Sequence, residues 1–239
     1  MSSLSIVIPV GPAEQKLGGL PADLIQALKS DRRLALQLQG WELILVFCEE
    51  SLHLREQLAE QESATVLCAE AGRAKQMNAG VLAASGEFVW FLHLDSNVGL
   101  GHLWRLSERI LQNADGLHYF PLAFEDDGAG PMRLNQWGAN FRSVCLGVPF
   151  GDQAFCLLRE SFLQLGGYPE NVAYGEDHLL VWYARQAGMR LRSTGLALPT
   201  SARKYASHGW LSLTFKYQYL WLKQAWPEWM YLLRLRLFR

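Results

Sequence analysis

Four short, nearly unbroken apolar runs constrain this chain more than any other feature: Leu4–Val10 (LSIVIPV), Glu42–Cys48 (ELILVFC), Ala64–Ala69 and Phe88–Leu94 (FVWFLHL). None alternates with a period of two, so each reads as a strand buried on both faces, the signature of a parallel sheet covered by helices. The segments between them supply those helices. Pro21 opens one with Leu24, Ile25 and Leu28 on one side; Ser51 is placed to cap a short charged helix running to Glu60; Arg73 to Ala84 sets Met77, Gly80, Val81 and Ala84 on one face. In open sheets of this kind ligands bind beyond the carboxyl ends of the strands, so the residues after Val10, Cys48 and Leu94 are expected to line a pocket.

The pattern continues with a helix carrying Leu103, Leu106, Ile110 and Leu111, then a strand over Leu117–Phe124 and an acidic glycine loop, EDDGAGP. Beyond it Gln153–Leu158 reads as a strand, Ser161–Leu165 as a short helix closed by Gly166-Gly167, and Glu176–Ala187 as an amphipathic helix ended by Gly188. With 239 residues, half of them apolar, the chain is long enough for a core that needs no disulfide or zinc. The four cysteines (Cys48, Cys68, Cys145, Cys156) form no C-x-x-C and are expected to be reduced and mostly buried. The longest stretch without a charged residue, Met1–Ala13, is 13 residues, too short to span a bilayer. It has no basic residue ahead of its apolar run and no small-residue cleavage site, which reads as a cytoplasmic protein.

A net charge of −1 excludes a general nucleic-acid binder. The charge is nonetheless uneven. After residue 200 the chain holds Arg203, Lys204, Lys216, Lys223, Arg234, Arg236 and Arg239 against the single acid Glu228, together with four of its nine tryptophans. The division expected is therefore a domain over 1–200 and a helical appendage over 201–239.

Asp95 ends an apolar strand, where a carboxylate holds a divalent cation beside a phosphorylated ligand or else caps the turn with Ser96 and Asn97. Arg73 follows Gly72 at a helix start, a place suited to phosphate as well as to an idle surface arginine. Glu176 and Asp177 open a helix, where acids are common as caps. Asp152 and Gln153, in PFGDQAF, face a ligand or hold a turn. Two separated acidic sites are the parts needed for metal-assisted displacement at a phosphate-activated carbon. No G-x-G-x-x-G follows the first strand, which disfavours a dehydrogenase. The loop Gly11–Gly19 has only Lys16, which disfavours a nucleotidyltransferase.

Five segments in order carry a resemblance: SIVIPV (Ser5–Val10), GRAKQMNAGVLAASGEFVWFLHLDS (Gly72–Ser96), GDQAFCLLRESFLQLGGYPE (Gly151–Glu170), GEDHLL (Gly175–Leu180) and TSARKYASHG (Thr200–Gly209). The chain resembles the family 2 glycosyltransferases of the GT-A fold, in particular the bacterial group described as radical-SAM/selenodomain-associated transferases. The fold implied is an α/β, Rossmann-like, mostly parallel sheet flanked by helices, with an aromatic and basic helical tail. The function implied is inverting transfer of a sugar from a nucleotide-diphosphate donor, a UDP-sugar being favoured, to an acceptor hydroxyl. The resemblance puts Pro9 and Val10 at the base or ribose, Arg73 and Asn78 near the nucleotide, and Asp95 at the diphosphate and a divalent metal, Mn²⁺ or Mg²⁺. It implies Asp177 as the base, Glu176 orienting it or the acceptor, and Arg203 closing over the diphosphate.

Departures from the family pattern are local. Relatives read D-G-G-S after the second strand; this chain reads Phe47-Cys48-Glu49-Glu50-Ser51, leaving Glu49 or Glu50 to face the base. Asp95-Ser96-Asn97 lacks a second carboxylate, so Asn97 or His208 is left as a further metal ligand. The altered loop is the ground for an alternative, a degenerate module that binds without catalysing. In the tail, lysines and arginines beside Trp, Tyr and Leu suit an interfacial helix on anionic lipid, broken near Pro227, with a homodimer or packing onto the domain as the competing readings. A membrane contact on the inner face would bring a lipid-linked acceptor within reach.

Overall fold

The structure, a computed structural model, describes residues 2–58 and 64–237, with the side chains of Lys204, Ser207 and His208 outside that description. Its first half alternates as expected: β1 (Ser2–Val10), α1 (Leu20–Ser30), α2 (Arg32–Gln37), β2 (Leu38–Phe47), β3 (Ala64–Cys68), α3 (Arg73–Ala83), β4 (Phe88–Phe91) and α4 (Leu100–Gln112). The second half holds β5 (Leu117–Tyr119), β6 (Leu122–Phe124), α5 (Met132–Phe141) continued by a π turn over Arg142–Leu146, β7 (Cys156–Leu158) and α6 (Arg159–Gln164). It ends with α7 (Glu176–Gln186), β8 (Leu191–Ser193), β9 (Leu198–Thr200), α8 (Arg203–His208) and α9 (Trp210–Leu237).

Seven strands form one sheet in the order β3-β2-β1-β4-β7-β5-β8, and β6 pairs with β9 in a second, two-stranded sheet. The pairs β1/β2, β1/β4, β2/β3 and β5/β8 are parallel; β7 runs antiparallel to both neighbours. The two-sided burial read from the sequence is literal. Ile6, Ile8 and Val10 enter one core with α1 and α4, while Val7 enters the other with Met77 and Val81 of α3. In β2, Leu43, Leu45 and Phe47 face the first core, and Ile44 and Val46 the second. Gly80 lets α3 lie directly on β1, since a Cβ there would meet the Val7 side chain.

Several expectations are corrected. Ser51 caps no α-helix: Glu49–Leu58 is 3-10, and the Ser51 hydroxyl instead donates to the Val10 carbonyl at 2.7 Å and accepts from the Cys48 N–H at 3.1 Å. The rest of that expected helix, 59–60, lies outside the described residues. The strand over Leu117–Phe124 is split into β5 and β6 around Pro121, which has no N–H to give a ladder. Cys48 and Cys156 are buried, but Cys68 and Cys145 are exposed, so the thiols are not mostly buried. The tail is not broken at Pro227: α9 runs unbroken from Trp210 to Leu237. Pro227 and Lys223, whose carbonyl loses its helical partner, are both exposed, so the missing bond is not a buried loss. Ala225 and Leu232 meanwhile pack against Val148 and Trp182 on either side of the proline.

Candidate functional site

The carboxyl ends of β1 and β4 open onto adjoining cavities, and Asp95 lies on the walls of four of them. Its carboxylate makes no ion pair among the described residues. One cavity, of about 500 Å³, is formed by Pro9, Gly11, Arg73, His93 and Asp95; a larger one, of about 800 Å³, by the loop Ala13–Gly18 with Asp95, Ser201 and Arg203. Glu14 stands near Asp95: partial burial and the Asp95 charge both push its carboxyl up, while Arg203 pulls it down. Two carboxylates therefore share one cavity wall, where each makes the other harder to ionise.

Asp177 faces a third cavity, of about 260 Å³, which also contains Arg73, Asp95, Arg142 and Asp152. Gly175, in the left-handed region at φ 75°, turns the chain into α7 and delivers Glu176 and Asp177 to its first turn. Asp177 is only 9% exposed. Its Oδ2 accepts the Gly151 N–H at 2.5 Å and its Oδ1 the His178 N–H at 2.8 Å. Burial raises its pKa, but the Arg73 charge and these two donors outweigh burial and hold the carboxyl below the usual range. An ionised carboxylate has about four acceptor sites, so two remain for a substrate proton. A side chain at position 151 would crowd this group, its Cβ falling 2.8 Å from Oδ2.

Arg73 pairs through Nε with Glu176 and keeps 43% of its side chain exposed, while Glu176 keeps 8%. Burial works against the guanidinium charge, yet Asp177 and Glu176 together raise its pKa. Arg73 is thus a cation held in place by α7 with its tip open to the cavity.

Among the expected residues, Pro9, Arg73, Asp95, Asp152, Asp177 and Arg203 line these cavities, and Glu176 lines a neighbouring one with Gly72 and Tyr174. Others are otherwise engaged. The Val10 carbonyl accepts from Ser51 and Gln76 and its side chain is fully buried. Asn78 holds the loop after α6, donating to the Tyr168 carbonyl and accepting its N–H. Gln153 is fully buried, bonded to Ser143, Phe150 and Phe120, and holds the turn. Glu49 is exposed and lines none of these cavities.

For a metal, Asn97 donates its amide to Glu125 at 3.0 Å, and the His208 side chain lies outside the described residues. Among the described residues no cluster of three His, Cys, Asp or Glu side chains is close enough to cage an ion. The residues present fit the other mode. Mg²⁺ and similar hard ions are commonly held by one or two carboxylates together with substrate phosphates, and Asp95 offers such a carboxylate.

Sequence reasoning missed much of the Asp177 cavity. Arg142 lies 8% exposed with its guanidinium carbon 3.6 Å above the Phe150 ring and 5.8 Å from that of Trp221. Tyr174 and Tyr217 stack with centroids 5.9 Å apart, and Tyr205 meets Tyr217 edge-on. His93, two positions before Asp95, was the one member with a local signal.

This fold, a mainly parallel sheet flanked by helices, is shared with solved structures of glycosyltransferases. The chain is similar to S. aureus TarS (residues 1–349) in complex with UDP-GlcNAc, at 16% identity and a TM-score of 0.63 over 83% of this chain and 58% of that one. It is also similar to TarS in complex with UDP, at 15% identity and 0.61 over 83% and 60%. A third is the mannosyltransferase PcManGT from Pyrobaculum calidifontis in complex with GDP-Man and Mn²⁺, at 14% identity and 0.59 over 87% and 59%. The chain thus spans less than two thirds of the length of these structures. No protein-family model matches it, and no curated protein matches it in sequence.

Proposed function

We propose that this chain is an inverting glycosyltransferase of the family 2 type, moving a sugar from a nucleotide-diphosphate donor to an acceptor hydroxyl. The observation that carries the reading is one cavity lined both by a buried, ionised Asp177 with acceptor sites to spare and by Asp95 at the strand ends. The donors bound by TarS and PcManGT support a nucleotide sugar, and a UDP-sugar is favoured.

The donor lies along Pro9, Gly11, Arg73 and Asp95, its diphosphate beside Asp95 and Arg203. Mn²⁺ or Mg²⁺ shared between Asp95 and the diphosphate would neutralise the charge that develops on the leaving group. The acceptor enters the aromatic cavity, where the faces of Tyr174, Tyr217 and Trp221 suit a sugar ring or another flat, weakly polar group. Asp177 takes the hydroxyl proton as that oxygen attacks the anomeric carbon. The bond from this carbon to the diphosphate breaks with its electron pair on the phosphate oxygen, and one displacement inverts the configuration. Glu176 fixes Arg73, and Arg73 in turn keeps Asp177 ionised. The reading also places the enzyme on the inner face of a membrane, against a lipid-linked or membrane-proximal acceptor.

The test uses water as a stand-in acceptor, following release of UDP from UDP-GlcNAc and of GDP from GDP-mannose. Asp177→Asn is expected to slow release by about 10²–10⁴-fold while leaving diphosphate binding intact. Unchanged turnover in that variant removes Asp177 as the base. Binding without turnover in the wild type supports the degenerate module instead.

A further inference from the structure

The long helix α9 has two apolar sides. One is packed: Leu213, Ala225 and Leu232 are buried, and Tyr217 and Trp221 line the Asp177 cavity. At 3.6 residues per turn, Leu211, Phe215, Leu222, Trp226 and Trp229 fall within about 60° of one another, on a side turned roughly 120° from the packed one. These are exposed, Phe215 to 71% and Trp226 to 63%. Lys216, Lys223 and Arg234, all exposed, form a row along one edge of that stripe. The only acid, Glu228, lies on the packed side, where it accepts the Gln186 amide at 2.7 Å. No described helix is long and apolar enough to cross a membrane. A stripe of large apolar groups bordered by cations is the arrangement of a helix lying in a lipid headgroup layer.

A second exposed stripe lies on the neighbouring helix α5. Leu134, Trp137, Phe141 and Val144 lie on the outer side of α5 and its π turn, with Trp137 stacked on Phe141 at 5.5 Å. Asn135 bonds α5 to Thr214 and Trp210 of α9, and Asn135 and Ala139 line the same cavity as Tyr217. The cavity that holds Asp177 is therefore flanked by two helices that each expose large apolar groups.

We propose that the outer face of α9 docks on an anionic lipid surface. Phe215, Leu222, Trp226 and Trp229 enter the acyl boundary, and Lys216, Lys223 and Arg234 pair with lipid phosphates. Charge selects this occupant over a second copy of the chain, which would bring a like-charged rim to the contact. The proposal deepens the glycosyltransferase reading by giving a lipid-linked acceptor a route to Asp177, but the contact itself needs no glycosyl transfer.

The test is flotation of the full chain with vesicles of phosphatidylcholine alone and with roughly a third phosphatidylglycerol, at low and high salt. The wild type is expected to float only with the anionic vesicles and to be released by salt. Lys216→Glu with Lys223→Glu, and separately Phe215→Ser with Trp226→Ser, are expected to weaken that binding at least about tenfold. Both pairs keep the wild-type melting temperature and UDP binding, because the altered side chains are exposed. No binding of the folded wild type to anionic vesicles overturns the proposal, as does equal binding by both double variants. A dimer in sedimentation that the Phe215/Trp226 pair dissolves also overturns it, in favour of a second copy. Vesicle binding without any nucleotide binding counts against the glycosyltransferase reading and leaves the docking face standing.

Discussion

The indole of Trp182 can only donate, and its Nε1–H lies 2.8 Å from Nε2 of His178, so that ring nitrogen is bare and the proton of the neutral ring sits on Nδ1. Nδ1–H donates to Gln224 Oε1 at 2.9 Å, and the Gln224 amide donates to the Tyr174 carbonyl at 3.1 Å. Burial lowers the His178 pKa, which keeps this neutral tautomer in place. The chain Trp182, His178, Gln224, Tyr174 ties α9 to the turn at Gly175 that delivers Glu176 and Asp177. Gln224→Leu, which leaves the carbonyl and the ring nitrogen unpaired, is expected to cost about 1–3 kcal/mol of stability. It is also expected to lower donor turnover about tenfold, with donor affinity unchanged, because the base and not the donor pocket loses its support. Denaturant melts and turnover against donor concentration check both; a stability loss with wild-type turnover restricts Gln224 to the fold. The sequence showed the acids of this motif through its resemblance. The support from Gln224 was invisible because it comes from 46 positions away.

At the scale of elements, legibility follows length. The strands β1 and β2 were readable as nearly unbroken apolar runs of seven residues, and the helix α3 because its apolar face recurs along 11 residues. β8 and β9 have three residues each, too few to show any period, and β5 and β6, equally short, were legible only as one strand. α5 went unread because the side it would bury carries Asn135 and Gln136 and its outer side carries Leu134 and Trp137, the reverse of the usual pattern. β5 brings its own pH dependence. His118 is fully buried, donates through Nε2 to the Asn113 carbonyl at 2.9 Å, and has a buried Nδ1 without a partner among the described residues. Burial, helped by Arg192 and Arg109, pushes its pKa down to about 4. The unfolded ring takes a proton below about pH 6.5. Between there and pH 4 the unfolded state binds more protons, so stability falls as pH falls, by on the order of 3 kcal/mol, and is flat with respect to this group above pH 6.5. His118→Phe is expected to flatten melting temperature against pH in that window. An unchanged slope shows that other groups, such as His178, carry the acid sensitivity.

For the molecule as a whole, the sheet order places the ends of β1 and β4 beside the start of α7 and the inner side of α9, joining groups far apart in sequence. The acids at Asp95, Glu176 and Asp177 stood out because each interrupts or opens an apolar element. The aromatic wall and Arg142 did not, since their neighbourhood is made only when α5 and α9 pack against the sheet. A likeness at 14–16% identity rests on this shared path of the chain rather than on conserved surfaces. The most direct test of the account is calorimetry of UDP, GDP, CDP and dTDP with and without Mn²⁺ or Mg²⁺, on the wild type and on Asp95→Asn. One diphosphate, UDP by expectation, should bind with metal and lose at least about tenfold affinity in the variant, where the carboxylate that shares the ion is gone. Failure of all four to bind the folded wild type, or equal binding by Asp95→Asn, contradicts a nucleotide-sugar site at these strand ends.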